Sequence, residues 1–268
     1  MNITNKLITA MISGIIATQV YADNSMPESS TQNPQCTAQK MANYNAVKWY
    51  RDSAERNAQY RQTFMIGLEK VKAKVAKESL KSGSWGVIMD IDETVLDNSA
   101  YEKNNVLTCN TYSAATNYAF MEQMVSTATP GAKNFTCSIK KMGGKVVLVT
   151  NRNGNHDDKI INATVKNLEQ EGLCFDNVIF AKSHDDSDKT PRFNNVIAGK
   201  YSDIIATNKL KPIKVVAYFG DNIQDFPVIK QADALKQNPD GEYYNKFGEE
   251  YFNLPNPTYG SWEKNQFN

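Results

Sequence analysis

Histidine is nearly missing from this sequence: His156 and His184 are the only two, in the Asp-rich stretches NHDDK and SHDDSD. That excludes a site built on several histidines, such as a multi-histidine zinc centre, and leaves a phosphohistidine mechanism two loop candidates. An excess of one charge sign is missing too, with 30 Lys and Arg against 29 Asp and Glu, a net of +1. There is then no electrostatic case for a nucleic-acid polymer or a membrane surface as partner. No internal repeat or coiled-coil heptad occurs, and none of the four cysteines is spaced as CxxC, so a zinc site is not expected. With 41% hydrophobic residues, 13 Tyr and 11 Phe, the chain can still bury a sizeable core.

A long apolar run is absent as well. The stretch Leu7 to Val20 is too short for a membrane span, so no stable membrane insertion is expected. It follows Lys6 and precedes Val20-Tyr21-Ala22, with small residues where a signal peptidase reads. Residues 1–22 therefore read as a secretory signal, with an ordinary N-terminal helix as the alternative. The location expected is periplasmic or secreted. No Cys follows Ala22, which argues against a lipid anchor. In an exported chain Cys36, Cys109, Cys137 and Cys174 allow two disulfides with three pairings open, and buried free thiols are the alternative.

Residues 23–38 are polar and Pro/Ser-containing, and read as a flexible leader to a single domain over 39–268. From about Gln39 to Leu80, Trp49, Tyr50, Ala54, Phe64, Leu68, Val71 and Val75 recur at helical spacing. Then come four short Val/Ile-rich runs: WGVIMDI (85–91), GKVVLVTN (144–151), NVIFAK (177–182) and IKVVAYFGD (213–221). Their centres are almost wholly apolar, as in strands buried on both faces of a parallel sheet. Helical stretches lie between them, including one closed by Gly172. The fold class is α/β, a doubly wound, mostly parallel sheet, and its active site belongs outside the carboxyl ends of the strands.

Three of those runs end in polar groups: Asp90 and Asp92; Thr150, Asn151 and Arg152; Asp221 and Asp225. On extended backbone residues i and i+2 face the same way, so Asp92 lies beside Asp90. One carboxylate can attack phosphorus while its neighbour protonates the leaving oxygen and later deprotonates water. So many carboxylates need a hard cation, and Mg²⁺ with its oxygen preference fits. Thr150 and Asn151 can donate to a phosphoryl group, and Lys189 lies in the connection before the fourth strand. Arg152 could reach substrate, with an exposed salt-bridging Arg as the alternative. The two histidines read as exposed loop residues, and the run DDSD (185–188) as a solvated turn.

The order D-x-D-x-T, a Thr after an apolar strand, a Lys, then G-D-x-x-x-D resembles the haloacid dehalogenase superfamily of phosphohydrolases. Within it, DIDETVLDNSAY, YFGDNIQDF and the tail FGEEYFNLPNPTYGSWE are similar to the bacterial class C acid phosphatases. The resemblance runs from about residue 40 to Glu263. Met89 replaces the usual smaller aliphatic residue before the first Asp, a packing difference. Many members are also lipoproteins, which the missing Cys after Ala22 puts in question.

The resemblance implies a haloacid dehalogenase-like domain with a small helical cap, expected from 39–80 and 98–140. It implies Asp90 as nucleophile and Asp92 as general acid/base. The metal ligands would be Asp90, the Asp92 carbonyl and Asp221, with Asp225 orienting a metal-bound water. Thr150, Asn151 and Lys189 would hold the phosphoryl oxygens, while Tyr259 and Phe120 would sandwich a substrate ring. Phe120 as cap core is the other reading, and Glu93 is expected to bond backbone or an Arg. The activity implied is a Mg²⁺-dependent acid phosphatase acting on phosphomonoesters, nucleoside monophosphates and aryl phosphates first. A phosphotransferase, or a non-catalytic storage or binding protein, are the alternatives, and a homo-oligomer is left open.

Overall fold

The computed structural model describes residues 34–266. The expected signal segment 1–22 and the leader up to residue 33 lie outside the described residues. The elements begin α1 (Pro34–Asp52), α2 (Ala54–Lys77), β1 (Trp85–Met89), β2 (Leu96–Asp97), α3 (Ser99–Thr108), α4 (Ala114–Glu122), β3 (Thr127–Ala128) and α5 (Ala132–Lys141). They continue with β4 (Lys145–Asn153), α6 (Asp158–Gln170), β5 (Asn177–Ala181), α7 (Thr190–Ala198), β6 (Ile205–Ala206), β7 (Lys214–Gly220), α8 (Gln231–Ala234) and β8 (Tyr251–Asn253). α1 begins at Pro34, inside the stretch expected to be leader. The helical stretch after Gln39 is two helices because Ser53 turns out of the first and caps the second, accepting from Arg56 N at 3.1 Å.

All four Val/Ile-rich runs are strands, in a sheet of order β6-β5-β4-β1-β7-β8. Every pairing is parallel except β5 with β6. Both faces are covered, and the strand period of two sorts the side chains between them. Val87, Met89, Val146, Leu148, Val178, Phe180, Ala217 and Phe219 share one core with Phe64 and Val71 of α2, Phe135 and Ile139 of α5 and Leu168 of α6. Ile88, Val147, Val149, Ile179 and Tyr218 share the other with Phe193 and Val196 of α7. α2 lies close on β7 because residue 67 is glycine: a Cβ there would collide with the Phe219 ring.

Of the helices within 39–80 and 98–140, the stretches expected to form a cap, α2 and α5 are apolar enough on one face to cover the sheet, and they do. α1, α3 and α4 instead line the cleft at the carboxyl ends of the strands. The short antiparallel pair β2–β3 stands between the two. No helix among the described residues is long and apolar enough to cross a membrane.

All four cysteines are bridged, Cys36 to Cys109 and Cys137 to Cys174. The first ties α1 to the end of α3. The second ties α5 to the segment entering β5 across 37 residues. Chain-entropy arguments give such a loop about 4 kcal/mol. Replacing Cys137 and Cys174 together by Ala should therefore lower the thermal midpoint by roughly 10 °C in a calorimetric scan. A midpoint within about 2 °C of the parent's would show that the bridge adds nothing to stability.

Candidate active site

Asp90 leaves β1 at the centre of the sheet, its N–H donating to the Phe219 carbonyl of β7 at 2.9 Å. The chain then turns sharply: the Ile91 carbonyl accepts from the N–H groups of Thr94, Val95 and Leu96. Glu93 sits in that turn at φ 52°, in the left-handed region that costs a non-glycine residue energy. It is held there by its own bonds. Its carboxylate accepts from Asn98 N at 2.7 Å and from the Tyr259 hydroxyl, and its carbonyl accepts from the Tyr60 hydroxyl. As expected, Glu93 bonds backbone and points off the site.

β4 ends in Thr150, Asn151 and Arg152, and β7 runs into Asp221 and a turn of 3₁₀ helix ending at Asp225. Asp225 caps that turn, accepting from Asn222 N at 2.9 Å, and a side chain at Gly220 would overlap it. Lys189 precedes α7 and is buried. The ends of β1, β4 and β7 and the lysine therefore meet from four separate parts of the chain.

Lys189 Nζ lies 2.5 Å from an oxygen of Asp90 and 2.7 Å from one of Asp225. Asp221 accepts from Thr94 Oγ1 at 3.0 Å and from Asn256 Nδ2 at 2.9 Å. One oxygen from each of Asp90, Asp221 and Asp225 falls within 4.8 Å of the others. An all-oxygen donor set of that size fits a hard divalent cation. The electrostatics agree. Burial first, then the charges of Asp225 and Glu93, push the Asp221 carboxyl up to about 8. Burial also holds Asp90 well above the carboxylate range, against the pull of Lys189. Groups this reluctant to ionise are short of positive charge.

Asp92 is treated differently. Burial alone would raise it, but the Arg152 guanidinium and the hydrogen bonds around it outweigh burial and hold it below the usual range. Arg152 Nε lies 3.1 and 3.2 Å from the two carboxylate oxygens, and Nη2 lies 2.7 Å from Oδ1. Its Nη1 donates to Thr164 Oγ1 of α6 at 2.9 Å, so the fork is anchored behind as well as in front. Asn98 Nδ2 (2.6 Å) and Thr150 Oγ1 (3.2 Å) donate to the same carboxylate. Arg152 is thus neither free nor exposed: it is 4% exposed and committed to Asp92.

A cleft of about 950 Å³ opens over this cluster. Asp90, Asp92, Asn151, Lys189, Asp221, Asp225 and Tyr259 line it. Two expected contacts do not. Thr150 is fully buried and stands behind Asp92, its hydroxyl used there. Phe120 is buried against Tyr101, ring centroids 5.6 Å apart, because its place on α4 faces the cap interior. The aromatic walls are instead Tyr101, Tyr112, Tyr118 and Trp262, beside Tyr259. Nothing in the sequence distinguished the three tyrosines from ordinary cap residues, while Trp262 lay unassigned in the C-terminal stretch that holds Tyr259.

One further residue was not foreseen. Arg192, buried on α7, donates to the Thr150 carbonyl and to Asn151 Oδ1, both at 2.6 Å, and so aims Asn151. Its place three residues after Lys189 was the available signal. Both histidines are exposed, yet each stacks on a cap tyrosine, His156 on Tyr118 at 3.8 Å and His184 on Tyr112 at 6.4 Å. DDSD is a turn, as expected, with Asp186 accepting from Lys182 N and Asp188 from Thr190 N.

Residues 7–262 match the family model of the haloacid dehalogenase superfamily, subfamily IIIB (acid phosphatase). Among solved structures, the chain is similar to the class C acid phosphatase from Bacillus anthracis, with TM-score 0.68 and 26% identity. That match covers 85% of this chain and 88% of the other. The same enzyme solved with tungstate bound matches with TM-score 0.69 at the same identity and coverage.

Two outcomes follow from the charges. Asp221 is raised from an ordinary value near 3.9 to about 8, so its contribution to stability is full below the lower value and lost as pH rises through the upper. Asp92, depressed, is ionised in both states above about pH 5 and adds no slope there. The metal-free protein should then melt lower at pH 8 than at pH 5, and Mg²⁺ should raise the midpoint more at the higher pH. An equal Mg²⁺ effect at both pH values in a thermal scan would sink the account. Separately, Arg152→Met leaves Asp92 partly buried without its partner, and should cost about 3–5 kcal/mol in denaturant unfolding.

Proposed function

The chain belongs to the acid phosphatases of the haloacid dehalogenase superfamily, subfamily IIIB, and from that membership we propose a phosphoaspartate mechanism carried by Asp90 and Asp92. The observation that supports it best is the cluster itself. Asp90, at the central strand end, shares Lys189 with Asp225 beside Asp221, while Asp92 next to it is held by a separate cation.

In the first half-reaction Asp92, ionised in the free protein, takes up a proton as the anionic phosphate binds beside it; an Asp90 oxygen attacks phosphorus, the ester P–O bond breaks, and Asp92 gives that proton to the departing alkoxide. In the second, Asp92 takes a proton from water as that water attacks the acyl phosphate, releasing inorganic phosphate and restoring Asp90. Arg152, Asn98 and Thr150 keep Asp92 aimed at one place through both steps. Lys189 and Asn151 supply positive charge and a donor to the phosphoryl oxygens. Asp90, Asp221 and Asp225 would hold Mg²⁺, which supplies further charge neutralisation around the phosphoryl group when bound. The similar Bacillus anthracis enzyme was solved with tungstate, an oxyanion of the shape a phosphoryl group would have here.

Nucleoside monophosphates and aryl phosphates are the substrates this reading favours, since Tyr112, Tyr118, Tyr259 and Trp262 give the cleft faces on which a flat ring can rest. α1, α3 and α4 act as the cap. The protein is exported after loss of residues 1–22; its two closed disulfides agree with an oxidising compartment.

The test is hydrolysis of an aryl phosphate and of AMP by residues 23–268 at about pH 5.5, with Mg²⁺, with EDTA, and with Asp90→Asn. Activity should vanish in EDTA and fall at least about 10⁴-fold in the variant. Turnover surviving in pure Asp90→Asn protein would remove Asp90 as nucleophile.

A further inference from the structure

The distal wall of the cleft has a charge pattern that the phosphoryl chemistry does not use. Asn98, Glu102, Asn105 and Cys109 all line the cleft and fall at helical intervals of four, three and four along one face of α3. Asn98 touches Asp92, so Glu102 and Asn105 stand about 6 Å and about 10 Å farther along the axis. That is the distance at which the far part of a leaving group the size of a nucleoside would lie.

Three observations mark this wall as built for a ligand. Asn105 is 6% exposed and lines the cleft, and its Nδ2 makes no hydrogen bond of normal geometry, its amide standing only near enough to Glu102 to ease that carboxyl down. Glu102 is half-buried, with burial and the nearby charge of Glu263 pushing its carboxyl up to about 7. Glu263 reaches the cleft from the turn Ser261–Lys264, where Gly260 N donates to it at 3.1 Å. Against these, the only Lys and Arg lining the cleft among the described residues are Lys189 and Arg152, both already engaged by Asp90, Asp225 and Asp92. A second anionic group on the substrate would meet two carboxylates and no free cation.

We propose that Glu102, Asn105 and Glu263 form a leaving-group subsite that accepts a cationic or donor-rich group and turns away a leaving group bearing its own phosphate or carboxylate. The preferred esters are then those of alcohols carrying an ammonium, amidine or several hydroxyls; esters with a further anionic group are poor ligands. This rests on the phosphoryl group lying at Asp90, and it names the substrate class of that site.

The test uses three benzylphosphonates, which are not hydrolysed, identical except for a para aminomethyl, hydroxymethyl or carboxylate group. Their dissociation constants are measured by calorimetry on the full mature protein with Mg²⁺ at pH 8, above the Glu102 value of about 7. The carboxylate should bind at least about tenfold more weakly than the ammonium compound. In Glu102→Gln/Glu263→Gln that spread should shrink to within about twofold. Glu263→Gln alone, at an exposed position, should narrow it partway and serves if the double variant does not fold. Equal affinities in the parent, or a spread unchanged in the variants, overturn the subsite. Because no turnover is read, the outcome is separate from that of the mechanism: a full spread in a protein that hydrolyses nothing would overturn the mechanism alone.

Discussion

Everything in this protein is arranged around the cost of holding carboxylates of one sign together away from water. Asp90, Asp92, Glu93, Asp221 and Asp225 lie at the ends of two adjacent strands, and taking each charge out of water costs several kcal/mol unless it is matched. Burial, then the charge of Asp92, raises the Glu93 carboxyl well above its ordinary range, and Asn98 N and the Tyr259 hydroxyl satisfy it, which leaves four carboxylates to be matched by cations. Lys189 and Arg152 cancel two, and a divalent cation would cancel the other two.

The same constraint explains local features that look costly in isolation. A left-handed Glu93 is tolerated because Asn98 N, the Tyr259 hydroxyl and the Tyr60 hydroxyl all fix it. Tyr60 belongs to α2 and Tyr259 to the C-terminal segment, so distant parts of the chain hold one turn. Arg56 of the same helix pairs with Asp97 at 2.8 Å, and Asp97 in turn accepts from Ser99 N at the start of α3. The direction of α3, and with it the cleft wall, is therefore set by the motif that supplies Asp90.

This explains what could and could not be read from the sequence. The strands were legible because they are buried on both faces, which leaves an unbroken apolar signature at Val87–Met89 and Val146–Val149. The acidic cluster was legible because its members end those strands at short, fixed spacings. Arg152 was half-legible: its position was noted, but burial against Asp92 and Thr164 depends on α6 packing, which no local pattern carries. Phe120 and Thr150 went astray for a related reason, since one residue of rotation decides whether a side chain faces the cleft or the interior. Which of the flanking helices cover the sheet was not legible because α2 has the same amphipathic spacing whether it covers a sheet or a cleft. Only Gly67 against Phe219 decides it.

A division of labour follows from where each group is anchored. Asp90, Asp92, Asp221 and Lys189 are fixed by the sheet and its first turns, which are packed on both sides and tolerate little displacement. Tyr118, Glu102 and Asn105 ride on α3 and α4, and Tyr112 on the loop between them; β2–β3 and two tyrosine–histidine stacks join these elements to that frame, and one disulfide ties α1 to the end of α3. Chemistry that needs sub-ångström placement is thus carried by the rigid layer, where a changed residue disturbs a whole core. In the proposed reading, recognition of the leaving group would fall to the short helices over the cleft. Substitutions in the cap can alter which ester is accepted without touching the charge balance that makes any ester reactive.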